Sequence, residues 1–217
     1  SLLLIELTVI CAFMEKKFDI ENREKYTPVP VYGGHDEFSA FYEKAWELAS
    51  EHVKSIPGMP QNPYMDEAFC ATQIWIWDSC FMSLFCKYAR GAFPGVETLN
   101  NFYKPLYEGT RLPVIMPPED EPDWTEAVYG TPYEIKVHLA DNPPLFAWAE
   151  YENALMEGNK EYLKELLYDR GVLQKHYEWI ESLTESRELP DTVLKRKNNL
   201  IAEKYGYKWE GGCSGMD

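Results

Sequence analysis

The clearest hydrophobic pattern lies between Asp36 and Ser55. Phe38, Phe41, Tyr42, Ala45, Trp46, Leu48, Ala49 and Val53 recur at helical spacing, while Glu37, Glu43, Lys44, Glu47 and Glu51 fill the other side. One apolar stripe with a helical period predicts an amphipathic helix lying on a core. Gln73 to Arg90 reads differently, because Ile74, Trp75, Trp77, Cys80, Phe81, Met82, Leu84, Phe85, Cys86 and Tyr88 surround the axis. A helix apolar all round belongs in an interior. Asp78 interrupts that run near its start, and Gly91, close to Pro94, ends it. A weaker helix is expected from Gly95 to Tyr107. Pro143 and Pro144 open another, since proline suits a first helical turn, and it runs to Met156 before Gly158-Asn159. Lys160 to Leu183 forms a longer amphipathic helix that Gly171 is placed to break.

Strand-like alternation is scarce after residue 30, so the predicted fold class is all-α. Buried helices alternating with one-sided ones suggest concentric layers, as in an α/α toroid; a bundle or a helical repeat array is the alternative. No fixed sequence period supports the repeat array. Leu2 to Phe13 is apolar apart from Glu6 and too short to span a bilayer. It reads as a signal-peptide remnant or as a strand, and the residues do not decide between them. Glu15 to Pro30 reads as a linker. Pro113 to Pro132 reads as a long irregular loop, and Tyr205 to Asp217 as a loop rich in glycine and aromatics.

Composition narrows the function classes. The chain has 217 residues and a net charge of -15, which disfavours nucleic acid as a partner. No basic run suggests an anionic membrane surface. Cysteines at 11, 70, 80, 86 and 213 lack the spacing of a disulfide framework or a zinc site. Cys80 and Cys86 are expected to act as small hydrophobes. His35, His52, His138 and His176 show no metal-ligand spacing, and His52 and His176 fall on polar helix faces where solvation is expected. No cofactor is implied. The 7 Trp, 15 Tyr and 10 Phe fit a bulky core or a set of sugar-stacking platforms.

Two carboxylates carry the chemistry. Asp78 stands beside Trp75 and Trp77 at the head of an apolar helix. It is either a helix cap or a hydroxyl-binding group beside stacking indoles. Asp217 stands at the end of Lys208-Trp-Glu-Gly-Gly-Cys-Ser-Gly-Met-Asp217, where glycines at 211, 212 and 215 free the backbone to present a side chain. It is either part of an ordinary turn or an acid, with Glu210 competing in the same loop. Sugar cleavage requires two carboxyl groups facing across the scissile bond.

Three segments resemble one enzyme group in its order. Trp75-Ile-Trp-Asp-Ser-Cys-Phe81 resembles the Trp-x-Trp-Asp-x-x-Phe signature of (α/α)6-barrel glycoside hydrolases. Asn142-Pro-Pro-Leu-Phe-Ala-Trp-Ala149 resembles their Gln-Pro-Pro-x-x-Ala-Trp segment, and Trp209 to Asp217 resembles the loop carrying the catalytic acid. Together they are similar to glycoside hydrolase family 63 and its mannosylglycerate-hydrolase-like relatives, over roughly residues 35 to 217. The resemblance implies an inverting, exo-acting α-glycosidase with a carbohydrate substrate. Asp217 matches the general acid. Trp75, Trp77 and Asp78 match the subsite for the non-reducing sugar, with Trp209 and Glu210 lining the acid's loop. Asn142 stands where the group has Gln, one methylene shorter. Residues 1–34 are then an N-terminal segment and linker, and 35–217 roughly the N-terminal half of a toroid. The general base, a downstream Glu, has no position here, and the C-terminal half of the barrel is the missing partner. The alternative is a non-catalytic carbohydrate-binding or degenerate glycosidase-like module. A third reading, a helical scaffold with aromatics only in its core, requires Trp75, Trp77 and Asp78 to be fully buried, with no cleft beside them.

Overall fold

The computed structural model describes residues 17–66, 74–103, 112, 115–116, 145–182, 187–188, 197–198 and 201–208. These are mostly helical, with four two-stranded antiparallel ladders of two or three residues a strand. No helix among the described residues is long and apolar enough to cross a membrane. The Leu2 to Phe13 segment lies outside the described residues. So does the Pro113 to Pro132 loop apart from 115–116.

The stretch read as a linker has structure of its own. Ile20–Lys25 forms a 3-10 helix. The Asp19 amide donates to the Gly91 carbonyl at 3.0 Å, and the Tyr26 ring lies where a Cβ on Gly91 would stand. Gly91 does not end a helix, since the preceding one stops at Cys86; its missing side chain lets the N-terminal segment lie flat on the fold.

Helix α1, Glu37–Glu51, matches the first predicted helix, but its buried stripe is narrow. Trp46 and Ala49 are buried, with Tyr42 and Val53 packed beside them against Met65, Cys86, Ala89, Ala92 and Phe93. Phe41 is 74% exposed, and Phe38 and Leu48 are exposed too. The wide apolar face predicted for α1 is therefore only partly covered. After His52 the chain forms β1, Val53–Lys54, paired antiparallel with β2, Tyr64–Met65. Asn62 closes the loop between them: its amide nitrogen donates to the carbonyls of Ile56 and Met59, and its oxygen accepts from the Ile56 amide.

The run read as one helix from Gln73 to Arg90 starts as a strand. β3, Ile74–Trp75, pairs with β4, Ile115–Met116, and leads directly into α2, Ile76–Cys86. A period of two governs the junction: Ile74 and Ile76 are buried, while Trp75 and Trp77 are only half-buried. Further along, α2 is not enclosed on all sides. It buries Ser79, Cys80, Ser83 and Cys86, the small residues, and leaves Phe81 43% and Phe85 40% exposed. Small residues fill the crowded side because neighbours come close there. α3, Gly95–Thr98, lies on Cys86, and a Cβ on Gly95 would fall 2.5 Å from the Cys86 side chain. Leu99–Tyr103 continues α3 as a 3-10 turn, the observed form of the weak helix expected from Gly95. On its other side α2 meets α4, Leu145–Glu157, through Asn153 donating to Ser83 Oγ at 3.1 Å and Lys87 pairing with Glu152 at 3.0 Å.

The remaining helices follow the predicted punctuation. Gly158 and Gly171 adopt positive φ of 66° and 62°, the left-handed conformation that glycine enters without a side-chain penalty. Between them α5, Lys160–Lys164, is capped by Asn159 and widens into a π-helical turn over Glu165–Arg170. After Gly171, α6 spans Val172–Glu181. His176 corrects the expectation of solvation: it is buried, its Nδ1 accepts from the Leu112 amide at 3.2 Å, and its ring leans on Trp179. Short ladders β5, Arg187–Glu188, with β6, Lys197–Asn198, and β7, Ile201–Glu203, with β8, Gly206–Lys208, complete the described chain. The main core joins Tyr64, Ile74, Ile76, Cys80, Leu99, Phe102, Met116, Phe146 and Ala149 beneath α2 and α4.

Candidate functional site

The site grows from the β3–α2 junction. Ile74 and Ile76 anchor it in the core, so the residues that alternate with them turn away from that core. Trp75 takes the extended conformation of an N-cap residue, φ -104° and ψ 137°, without a side-chain cap bond. Trp77 meets Phe81 one turn later edge-to-face, with ring centroids 5.3 Å apart at 78°. Asp78 follows in the first turn of α2.

Asp78 is not the cap of its helix, because Trp75 holds that position. A carboxylate in the first turn gains from the positive end of the helix dipole. Burial works against it and pushes the Asp78 carboxyl up from its ordinary value, offset in part by a bond to its own backbone amide. Burial likewise pushes the thiols of Cys80 and Cys86 up, which suits free, buried cysteines acting as small hydrophobes.

Asp78 opens on a hollow of about 620 Å³ between α1 and α2. The walls are Tyr42, Ala45, Trp46 and Leu48 from α1, with Phe81, Met82 and Phe85 from α2. Trp75 and Trp77 do not line it, so the indole that shares this hollow with Asp78 is Trp46. Two further polar groups, His52 and Asp66, reach the same hollow. His52 Nδ1 lies 3.2 Å from Asp66 Oδ1, Lys54 Nζ lies 3.8 Å from Asp66 Oδ2, and the Asp66 amide donates to the His52 carbonyl. Asp66 is buried and His52 half-buried, against the expectation that His52 is solvated. Sequence reading passed over Asp66. The available signal was an acid directly after the apolar pair Tyr64-Met65, where a strand carries it inward.

A second polar cluster lies under α4. Buried Glu150 accepts from the Tyr103 and Tyr162 hydroxyls at 2.8 and 3.0 Å, and the Arg170 guanidinium lies 4.8 Å from the Tyr103 ring centre. Burial pushes the Glu150 carboxyl up and the two phenols hold it down, so the phenols secure the carboxylate while it ties α4 to its neighbours. Among the described residues no group of three or more His, Cys, Asp or Glu is arranged to hold a metal ion. Asn142, Trp209, Glu210 and Asp217 lie outside the described residues. Of the residues singled out in the sequence, the structure therefore places Trp75, Trp77 and Asp78, on one strand–helix junction.

No family model and no solved structure matches the chain. A segment of 109 residues, 48% of this chain, is 29% identical to an uncharacterized protein of Borreliella burgdorferi, and the match covers 19% of that protein.

Proposed function

We propose that this chain supplies part of the active site of an inverting, exo-acting α-glycosidase built on an (α/α)6 toroid, similar to glycoside hydrolase family 63. The observation that carries the reading is the half-buried trio of Trp75, Trp77 and Asp78, none of them sealed into the core. A helical scaffold with purely structural aromatics calls for the opposite. The ordered motifs at 75–81, 142–149 and 209–217 supply the rest of the support.

In this reading the apolar face of a pyranose packs on Trp75 or Trp77, and ring hydroxyls are held by Asp78. Asn142 adds an amide contact. Asp217 protonates the leaving oxygen, with Trp209 and Glu210 lining its loop. An inverting enzyme also needs a base that activates water on the opposite face, its carboxyl about 6.5–9.5 Å from the acid. In this reading that base is a second carboxylate set across the scissile bond from Asp217.

The test uses the whole enzyme. Asp217→Asn lowers turnover by about 10²–10⁴-fold, the usual contribution of a positioned general acid, and leaves sugar binding in place. Asp78→Ala weakens binding and turnover together. Near-normal rates in Asp217→Asn overturn the acid assignment. Sugar binding without hydrolysis in the whole protein converts the reading to a non-catalytic carbohydrate-binding module.

A further inference from the structure

The hollow between α1 and α2 has a composition that the glycosidase reading does not use. Its walls are aromatic and aliphatic, its polar groups are Asp66, Asp78 and His52, and no Lys or Arg stands among its described lining residues. Lys54 approaches Asp66 from outside that lining. Among the described residues no Lys or Arg pairs with Asp78, and burial raises its pKa.

The rings meet at steep angles. Tyr42 and Trp46 lie 6.1 Å apart at 78°, and Trp46 and Phe85 lie 5.8 Å apart at 66°. These are edge-to-face contacts, and Trp46 also stacks on Phe93 at 5.2 Å. The ring surface left to the hollow is therefore chiefly that of Phe81 and Phe85 with the rim of Trp46. Such a wall with a carboxylate at hand attracts organic ammonium groups through the negative faces of the rings. The volume, about 620 Å³, lies within the roughly 300–1,000 Å³ span of small-molecule sites. A metal or a bare ammonium ion leaves the aromatic walls unused. An anion meets two carboxylates. A neutral apolar molecule leaves Asp78 desolvated without compensation.

We propose that this hollow binds a small organic cation, an ammonium group carrying an aromatic or branched apolar body, with the charge against Asp78 and the body on Trp46, Phe81 and Phe85. The site goes beyond the sugar contact proposed for Trp75 and Trp77 and shares only Asp78 with it. An occupant there competes with a sugar for that carboxylate.

Isothermal titration of the 217-residue chain with benzyltrimethylammonium, benzyl alcohol and phenylacetate tests it. The expected order is the cation tightest, by about tenfold over the alcohol, and phenylacetate weakest. Asp78→Asn lowers affinity for the cation by about tenfold and leaves that for the alcohol unchanged. Phe85→Leu keeps an apolar side chain at a half-exposed position while removing a ring, and it also lowers affinity for the cation, so the proposal stays testable if Asp78→Asn fails to fold. No binding of the cation, equal affinity for cation and alcohol, or an unchanged affinity in Phe85→Leu overturns the proposal. Sugar binding measured on the same proteins separates the two readings. In the unsubstituted chain, sugar binding without cation binding sinks only this proposal, and cation binding without sugar binding sinks only the glycosidase.

Discussion

Asp78 is held where a negative charge is costly. Burial raises its pKa in the folded chain above the value in the unfolded chain, and the bond to its own backbone recovers only part of that. The sign of the linkage follows. Below the ordinary carboxylate value, about pH 4, the group is protonated in both states and carries no penalty. As pH rises through the folded value the folded state must ionise a half-buried group, and stability falls. Asp78→Asn never ionises. Thermal melts of the two proteins are therefore expected to lie close at low pH and to separate as pH approaches neutrality, with the Asn variant more stable. In the proposed cation site the same variant is expected to lose ligand affinity, a trade of function against stability common at binding sites. A constant offset across the pH range contradicts this account.

At the scale of elements, two glycines set the helix order after residue 145. Gly171 separates the π-helical turn over Glu165–Arg170 from α6 with φ 62°. No neighbour crowds the space a Cβ would fill there, so the backbone conformation alone decides the cost. Gly171→Ala is expected to destabilise the chain by about 1–2 kcal/mol, the penalty of the left-handed region for an L-residue, read from a urea titration. Gly95 differs, since its constraint is the Cys86 side chain rather than φ. The polar pairs between α2 and α4, Ser83 with Asn153 and Lys87 with Glu152, stand beside apolar packing in which Ile76 and Cys80 share one core with Phe146 and Ala149. Such pairs fix register more than they add stability.

Over the whole molecule, apolar surface is left open on α2 and α4, the two helices beneath which the main core lies. Phe81 and Phe85 on α2 and Tyr88 just beyond it are exposed, as are Trp148, Tyr151, Leu155 and Met156 on α4. Exposed apolar groups at helical spacing drive association when they form a contiguous patch. The isolated chain is expected to show concentration-dependent sedimentation, and the double variant Trp148→Gln, Leu155→Gln to sediment as a monomer at the same concentration. The proposed toroid accounts for such a face, because inner helices of a closed ring are covered on more sides than one. A wild-type chain that stays monomeric at high concentration counts against that role for the α4 face.

The pattern of apolar and polar positions determined where helices lie, and less well where they begin and stop: the run read from Gln73 to Arg90 is helical only over Ile76–Cys86. Asp36, Gly158 and Gly171 punctuate the described chain through backbone geometry, which is local and so legible residue by residue. The same pattern overstated burial. It treated every apolar residue of α1 and α2 as covered, whereas coverage depends on how closely another element approaches. On α2 the close side is the one with Ser79, Cys80 and Ser83, small enough to admit α3 and α4, and the large rings are left facing the α1 hollow. The trio at 75–78 could be named from sequence, because Trp, Trp and Asp in that order are rare enough to notice. Its orientation was not legible, since a strand running into a helix changes the side-chain period from two to 3.6 between Trp75 and Trp77. Only tertiary contact brought His52 and Asp66, fourteen residues apart, to one wall with Asp78, because pairing of β1 with β2 is a long-range event that no local pattern encodes.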